Sequence, residues 1–130
     1  MKLFDSLSAY QPVGLALLRI MTALLFIAHG TQKLFAFPPS DNGGGASGLM
    51  LVAGILEFGG GILVAIGLFT RPVAFILSGL MACAYFMAHA PQNFYPVNNG
   101  GDAAILFCFV FLYLMFAGPG AFALDNQRKG

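Results

Sequence analysis

Four long apolar runs, at about residues 13–35, 49–69, 72–90 and 102–118, constrain this chain more than any other feature. Short stretches rich in Pro, Gly and Asn separate them. A membrane-crossing helix needs roughly 20 mostly apolar residues, because the hydrocarbon core is about 30 Å thick and a helix rises about 1.5 Å per residue. Each run approaches that length. Lipid offers no hydrogen bonds, so the backbone must pair within each segment, which selects helix. A β-barrel would need alternating polarity, and these runs do not alternate. Only 8% of the residues are charged and 58% are hydrophobic, with a mean hydropathy of +0.82. A soluble domain carries roughly 25% charged residues, so this chain cannot coat a water-facing surface. The expected fold is all-α, one four-helix transmembrane bundle with no second domain in its 130 residues.

The punctuation supports these boundaries. Residues 38–45 read as a loop, with Ser47 as N-cap of the second helix. Thr70-Arg71-Pro72 joins runs two and three, with Thr70 capping and Pro72 in a first turn. Loop 91–101 precedes run four, which uncharged residues extend to Leu124. The first run is too long for a cleaved leader, carries Arg19 and lacks a small-residue cleavage site, so it is expected to stay as an anchor. Four spans put both termini and the 70–72 turn on one side. That side holds Lys2, Arg71, Arg128 and Lys129, while the other loops hold Asp41 and no Lys or Arg. Positive charge marks the cytoplasm, so the termini are expected there. Net charge is +1 without a basic tract, which argues against nucleic acid.

Ionisable residues inside a span cost about 2.5–3.5 kcal/mol on insertion scales, so each needs a partner or a purpose. Arg19, Thr22, Phe26, His29 and Lys33 are spaced 3, 4, 3 and 4, one face of a helix that should turn inward. Helical rise, counted from the terminal side, puts Arg19 about 8 Å deep, Glu57 about 18 Å, His29 about 22 Å, and Lys33 and His89 about 27–28 Å. Asp102 falls at the level of His89. His29, Lys33, Glu57, His89 and Asp102 therefore gather in the far half, with Arg19 about 10 Å below Glu57. Two readings of Arg19 and Glu57 follow: an ion pair locking helix one to helix two, or part of a proton-handling or ligand-orienting site. Ala53, Glu57, Gly61 and Ala65 form a small-residue ridge suited to close helix contact. Asp102 also suits the positive end of helix four.

No HxxH or ExxH pair occurs, so no metal site is assigned. Cys83 and Cys108 lack metal-ligand spacing and would meet only if helices three and four set them face to face. A quinone is the better-fitting ligand. Its carbonyl needs a donor such as His, Lys or Arg, and its ring needs an apolar, aromatic wall. Phe26, Tyr85, Phe109, Tyr113 and Phe116 are the wall candidates; each also reads as plain packing.

The ordered set Leu18-Arg19-Ile20, Ala28-His29-Gly30, Lys33-Leu34, Glu57-Phe58-Gly59-Gly60-Gly61, Gly67-Leu68-Phe69-Thr70-Arg71, His89, Asn99-Gly100-Gly101-Asp102, Gly118-Pro119-Gly120 and Leu124-Asp125 resembles the DoxX family of small bacterial membrane proteins. The resemblance covers nearly the whole chain, with Asp102 where the family often has Glu. It implies a four-helix protein of the bacterial inner membrane. It further implies a link to quinone-dependent oxidoreductases and oxidative stress, often beside a soluble redox partner. The expected function is thus redox-associated: quinone binding, or service as the membrane subunit of an oxidoreductase. A scaffold or chaperone-like partner, its polar cluster purely structural, is the alternative. A small-solute transporter ranks last, since four helices would need a homo-oligomer to enclose a pore.

Overall fold

The computed structural model describes residues 1–39 and 48–127, and among these every regular element is helical. A short helix α1 (Lys2–Asp5) runs through a 3₁₀ stretch into α2 (Gln11–Phe35). Then come α3 (Leu49–Ile66), α4 (Thr70–Ala84), α5 (Pro96–Asn99) and α6 (Asp102–Ala117). A π-helical turn, Tyr85–His89, and a 3₁₀ turn, Ala90–Gln92, prolong α4. Among the described residues three stretches are long and apolar enough to cross a membrane: Lys2–Phe35, Leu49–Ile66 and Thr70–Gln92. Helix α6 is apolar but shorter, 16 residues or about 24 Å. The uncharged residues after it do not lengthen the span as expected. The chain turns at Gly118, φ +83°, and folds across the bundle end. Ser47, Asp41, Arg128 and Lys129 lie outside the described residues.

Helix α2 packs mainly on α3, and α4 on α6; α3–α4 and the sparser α2–α6 contacts close the bundle. The core is small: Ala23, Phe26, Val64, Ala74, Leu77, Met81, Phe111 and Leu114. Around it, long apolar side chains such as Leu17, Leu24, Ile55, Ile76 and Leu106 face outward, while Arg19, Thr22, Glu57, Thr70, Ser78 and Asn99 are buried. Polar groups inside and leucines outside is the arrangement that a lipid solvent selects.

The α2–α3 seam runs through Gly54, Glu57, Gly61 and Val64, all buried. It is rotated slightly from the expected ridge, leaving Ala53 and Ala65 half-buried at its edge. A Cβ on Gly30 would stand 2.6 Å from the backbone N of Phe58, so the helices touch backbone to backbone there. Helix α3 stops at Gly67, whose φ of +70° lets Leu68 N–H return to Leu63 O at 2.9 Å. The cap of α4 is not the Thr70 side chain. Asp125 receives the N–H groups of Phe69 and Thr70 at 2.8 and 2.9 Å. A carboxylate at a helix start out-competes a hydroxyl because it adds charge to the hydrogen bonds.

Gly30 of α2, at the seam, and Gly59 of α3, away from it, provide a control for packing at this seam. Gly30→Ala is expected to lower stability by about 1–3 kcal/mol through overpacking. Gly59, with nothing within 4 Å of a built Cβ, should accept Ala with no loss or a gain of up to about 1 kcal/mol. Unfolding midpoints in detergent measure both, and equal responses would contradict the contact at Gly30.

Candidate functional site

The charged residues separate into two clusters at opposite ends of the bundle. At the terminal end Arg19 is fully buried. Its Nη1 donates to Pro119 O and, at 3.0 Å, to Ala121 O; its Nη2 donates to Phe122 O at 2.9 Å and reaches Ala65 O at 3.5 Å. The planar fork thereby ties α2 and α3 to the segment after α6. Arg71 performs the matching task on α6, donating to Met115 O and Phe116 O at 3.2 and 2.6 Å. A cation at a helix C-terminus satisfies carbonyls that have no partner within the helix.

At the loop end the partner of Glu57 is Lys33, not Arg19. Lys33 Nζ stands 3.1 Å from Oε1 and 3.0 Å from Oε2. The carboxylate side chain is only 4% exposed and that of Lys33 22%. Helix direction explains the match. Side chains lean toward the N-terminus of their own helix, so Lys33, near the end of α2, leans into the bundle. Glu57, on the antiparallel α3, leans up to meet it. Arg19 lies fourteen residues, about 21 Å, further down α2, where carbonyls occupy both of its terminal nitrogens.

His29 is exposed on the edge of α2 that faces α6, its ring edge-on to Phe107 at 5.7 Å. Phe107 belongs to an aromatic stack in which Phe26 meets Phe107 at 5.3 Å and Phe111 at 4.9 Å. His89 belongs to a separate network. Its Nδ1 lies 3.0 Å from Asn99 O, and because a carbonyl only accepts, Nδ1 carries the proton. Asn99, buried, donates from Nδ2 to Tyr85 Oη at 3.1 Å and to Asn93 O at 2.9 Å, and its Oδ1 receives Gly101 N–H at 2.8 Å.

These contacts frame the comparison with known proteins. The DoxX family model matches residues 14–90, well over half the chain. The chain belongs to the DoxX family. It is 50% identical over 129 residues to a Haemophilus influenzae protein described only as uncharacterized, covering 95% of this chain and 96% of the relative. It is 30% identical over 128 residues to the Escherichia coli inner membrane protein YqjF, covering 89% and 92%. It is 27% identical over 143 residues to the Escherichia coli inner membrane protein YphA, covering 98% of each. No solved structure matches. This DoxX protein is a small multi-pass protein of the inner membrane.

Within this DoxX protein the expected site residues therefore divide. Lys33 and Glu57 meet, and His29 stands one helical turn from Lys33 on the α6-facing edge. Arg19 serves the opposite end. Asp102 is exposed in the first turn of α6, and His89 is engaged with Asn99. Of the proposed aromatic wall only Phe26 is in the core and Tyr85 half-buried. Phe109, Tyr113 and Phe116 are 63%, 49% and 69% exposed and face outward. Phe107 and Phe111 take their place. Helix α6 is apolar on every side, so its sequence carries no phase from which to choose between the two sets. The thiols are also apart: Cys83 is exposed and Cys108 lies against Ser78 Oγ at 3.5 Å, neither in a disulfide.

Removing one member of a buried ion pair strands the other, at a cost of about 3–5 kcal/mol, whereas replacing both with apolar groups is often close to neutral. Lys33→Met and Glu57→Leu are each expected to show that loss in detergent unfolding, and the double variant to recover most of it. Additive losses would show that the two side chains do not interact.

Proposed function

We propose that this protein binds a quinone at the α2–α6 face of its loop end and supports a membrane redox system whose electrons come from a partner protein. The observation that carries this reading is His29. It is exposed toward lipid, hydrogen-bonds no other group among the described residues, and sits between the Lys33–Glu57 pair and the ring of Phe107. A quinone headgroup needs a donor for its carbonyl and a flat apolar wall for its ring. His29 and Lys33 would hold the carbonyl; Lys33 gives Glu57 only part of its three-donor capacity. Phe107, backed by Phe26 and Phe111, would hold the ring, and the quinone when bound would supply the electron-carrying chemistry. With the termini cytoplasmic, as the Lys and Arg distribution favours, this face opens in the outer leaflet.

A second reading, a structural scaffold, draws on Arg19, whose hydrogen bonds all go to backbone carbonyls and none to a ligand-facing group. Under that reading the Lys33–Glu57 pair only sets helix register.

Protein purified in mild detergent should carry extractable quinone, and a short-chain quinone analogue should raise its unfolding midpoint. His29→Ala should weaken analogue binding about tenfold or more, a loss of about 1.4 kcal/mol, without lowering the midpoint of the ligand-free protein. Absence of quinone from the preparation, together with an analogue that leaves the midpoint unmoved, would refute quinone binding and leave the scaffold reading.

A further inference from the structure

The loop between α4 and α6 pairs its backbone with its own polar side chains around a buried Asn99 and turns its large apolar side chains outward. The turn-extended α4 runs from Thr70 to Gln92, 23 residues, about 34 Å at helical rise. That is enough to cross a core of about 30 Å and bring Gln92 to its boundary at the end opposite the termini. Helix α6, about 24 Å long, begins at Asp102 several ångströms short of that boundary. Residues 93–101 must therefore start at the boundary and return below it, where water is scarce and polar groups need partners within the protein.

The loop meets that demand. Asn99 Nδ2 donates to Asn93 O, Asn99 Oδ1 receives Gly101 N–H, Asn93 Oδ1 receives Tyr95 N–H at 2.9 Å, and His89 Nδ1–H holds Asn99 O. The N–H groups of Asn98 and Asn99 both return to Tyr95 O, and Gln92 Nε2 donates to Ala88 O at 2.7 Å. The large apolar side chains point outward: Phe94 is 84% exposed, Val97 77% and Tyr95 61%, beside the uncharged polar Gln92, Asn93 and Asn98, which are exposed as well. They continue the exposed face of Phe86 and Met87 on the prolonged α4. No Asp, Glu, Lys or Arg occurs from residue 72 to 101. Three such large apolar side chains side by side in water would be a sticky patch.

We propose that residues 90–99 lie in the membrane interface at the end opposite the termini, with Phe94, Tyr95 and Val97 seated at the boundary between headgroups and acyl chains. The occupant of this face is lipid because the face is uncharged, is continuous with the lipid-facing side of α4, and carries the aromatic residues that favour that depth. The proposal is independent of any quinone.

The chain contains no tryptophan, so one introduced residue reports alone. Phe94→Trp and Val97→Trp, each in the full-length protein, would be reconstituted into phosphatidylcholine vesicles with plain or brominated acyl chains. Leu106→Trp, on the outward face of α6, provides the lipid-exposed reference. The expected result for both loop positions is blue-shifted emission, a severalfold loss in brominated vesicles and little quenching by iodide. Red-shifted emission quenched by iodide and insensitive to bromine would overturn the proposal and make the patch a docking surface for a soluble partner. Emission that neither quencher reaches would also overturn it, placing the loop under another protein chain.

Discussion

The arrangement depends first on one buried guanidinium. Arg19 has no access to water, and a cation in that position is tolerable only with acceptors close by, which here meet Nη1 and Nη2 but not Nε. The acceptors come from chain far away in sequence. They converge because the segment after α6 adopts positive φ at alternate positions, Gly118, Gly120 and Phe122, which turns the carbonyls of Pro119, Ala121 and Phe122 toward one point. Phe122 holds φ +54° without being glycine, a conformation that costs about 1–2 kcal/mol. Charge-assisted bonds to Arg19 offset that cost. The same turn delivers Asp125 to the start of α4 and lets Ala121 N–H bond Pro12 O at 3.0 Å. One cation in α2 thus organises the ends of α2, α3 and α4 through a segment belonging to none of them.

The two ends differ in what their charges face. At the terminal end the partners are backbone carbonyls and a capping carboxylate, held by turns with little freedom to rearrange. At the loop end the partners are side chains. The Lys33 ammonium sits on a four-carbon stem, and His29 stands beside it at the lipid-facing edge. A cation on a flexible stem has more freedom to change partners than a guanidinium whose two terminal nitrogens are held by carbonyls. The sparse contact between α2 and α6 leaves that edge accessible from the bilayer.

Most of the architecture was legible because length and charge scarcity are set by the bilayer, not by the rest of the protein. The apolar runs mark the helices, and the rule that charges turn inward places Arg19 and Glu57 in the interior. What remained hidden were the pairings. Depth along a helix can be counted to a few ångströms, but depth alone left Arg19, His29 and Lys33 all eligible for Glu57. The choice follows from the lean of side chains on antiparallel helices and from a competing set of acceptors that exists only once the chain after Gly118 has folded back. The phase of α6 was hidden for a different reason. Leu106, Phe107, Phe109, Phe111 and Tyr113 offer lipid and core equally apolar surfaces, so only contact with Phe26 and His29 selects Phe107 and Phe111. Asn99 was concealed in an Asn-Gly stretch that reads as an ordinary turn, although its side chain holds the loop together.

The shortness of α6 connects these features. A helix of full span would carry the chain clear of the membrane at both ends, where water could serve any stray donor or carbonyl. Sixteen residues cannot do so, and each end therefore has to be completed within the protein. At one end Arg71 and Arg19 supply donors to the last carbonyls of α6 and to the segment beyond. At the other, Asn99 supplies both donors and an acceptor to the residues leading into Asp102. The polar residues clustered at the two ends of an otherwise apolar chain are thus a consequence of span length. His29 has no hydrogen-bonding role in either completion, which separates it from the groups whose presence the fold itself explains.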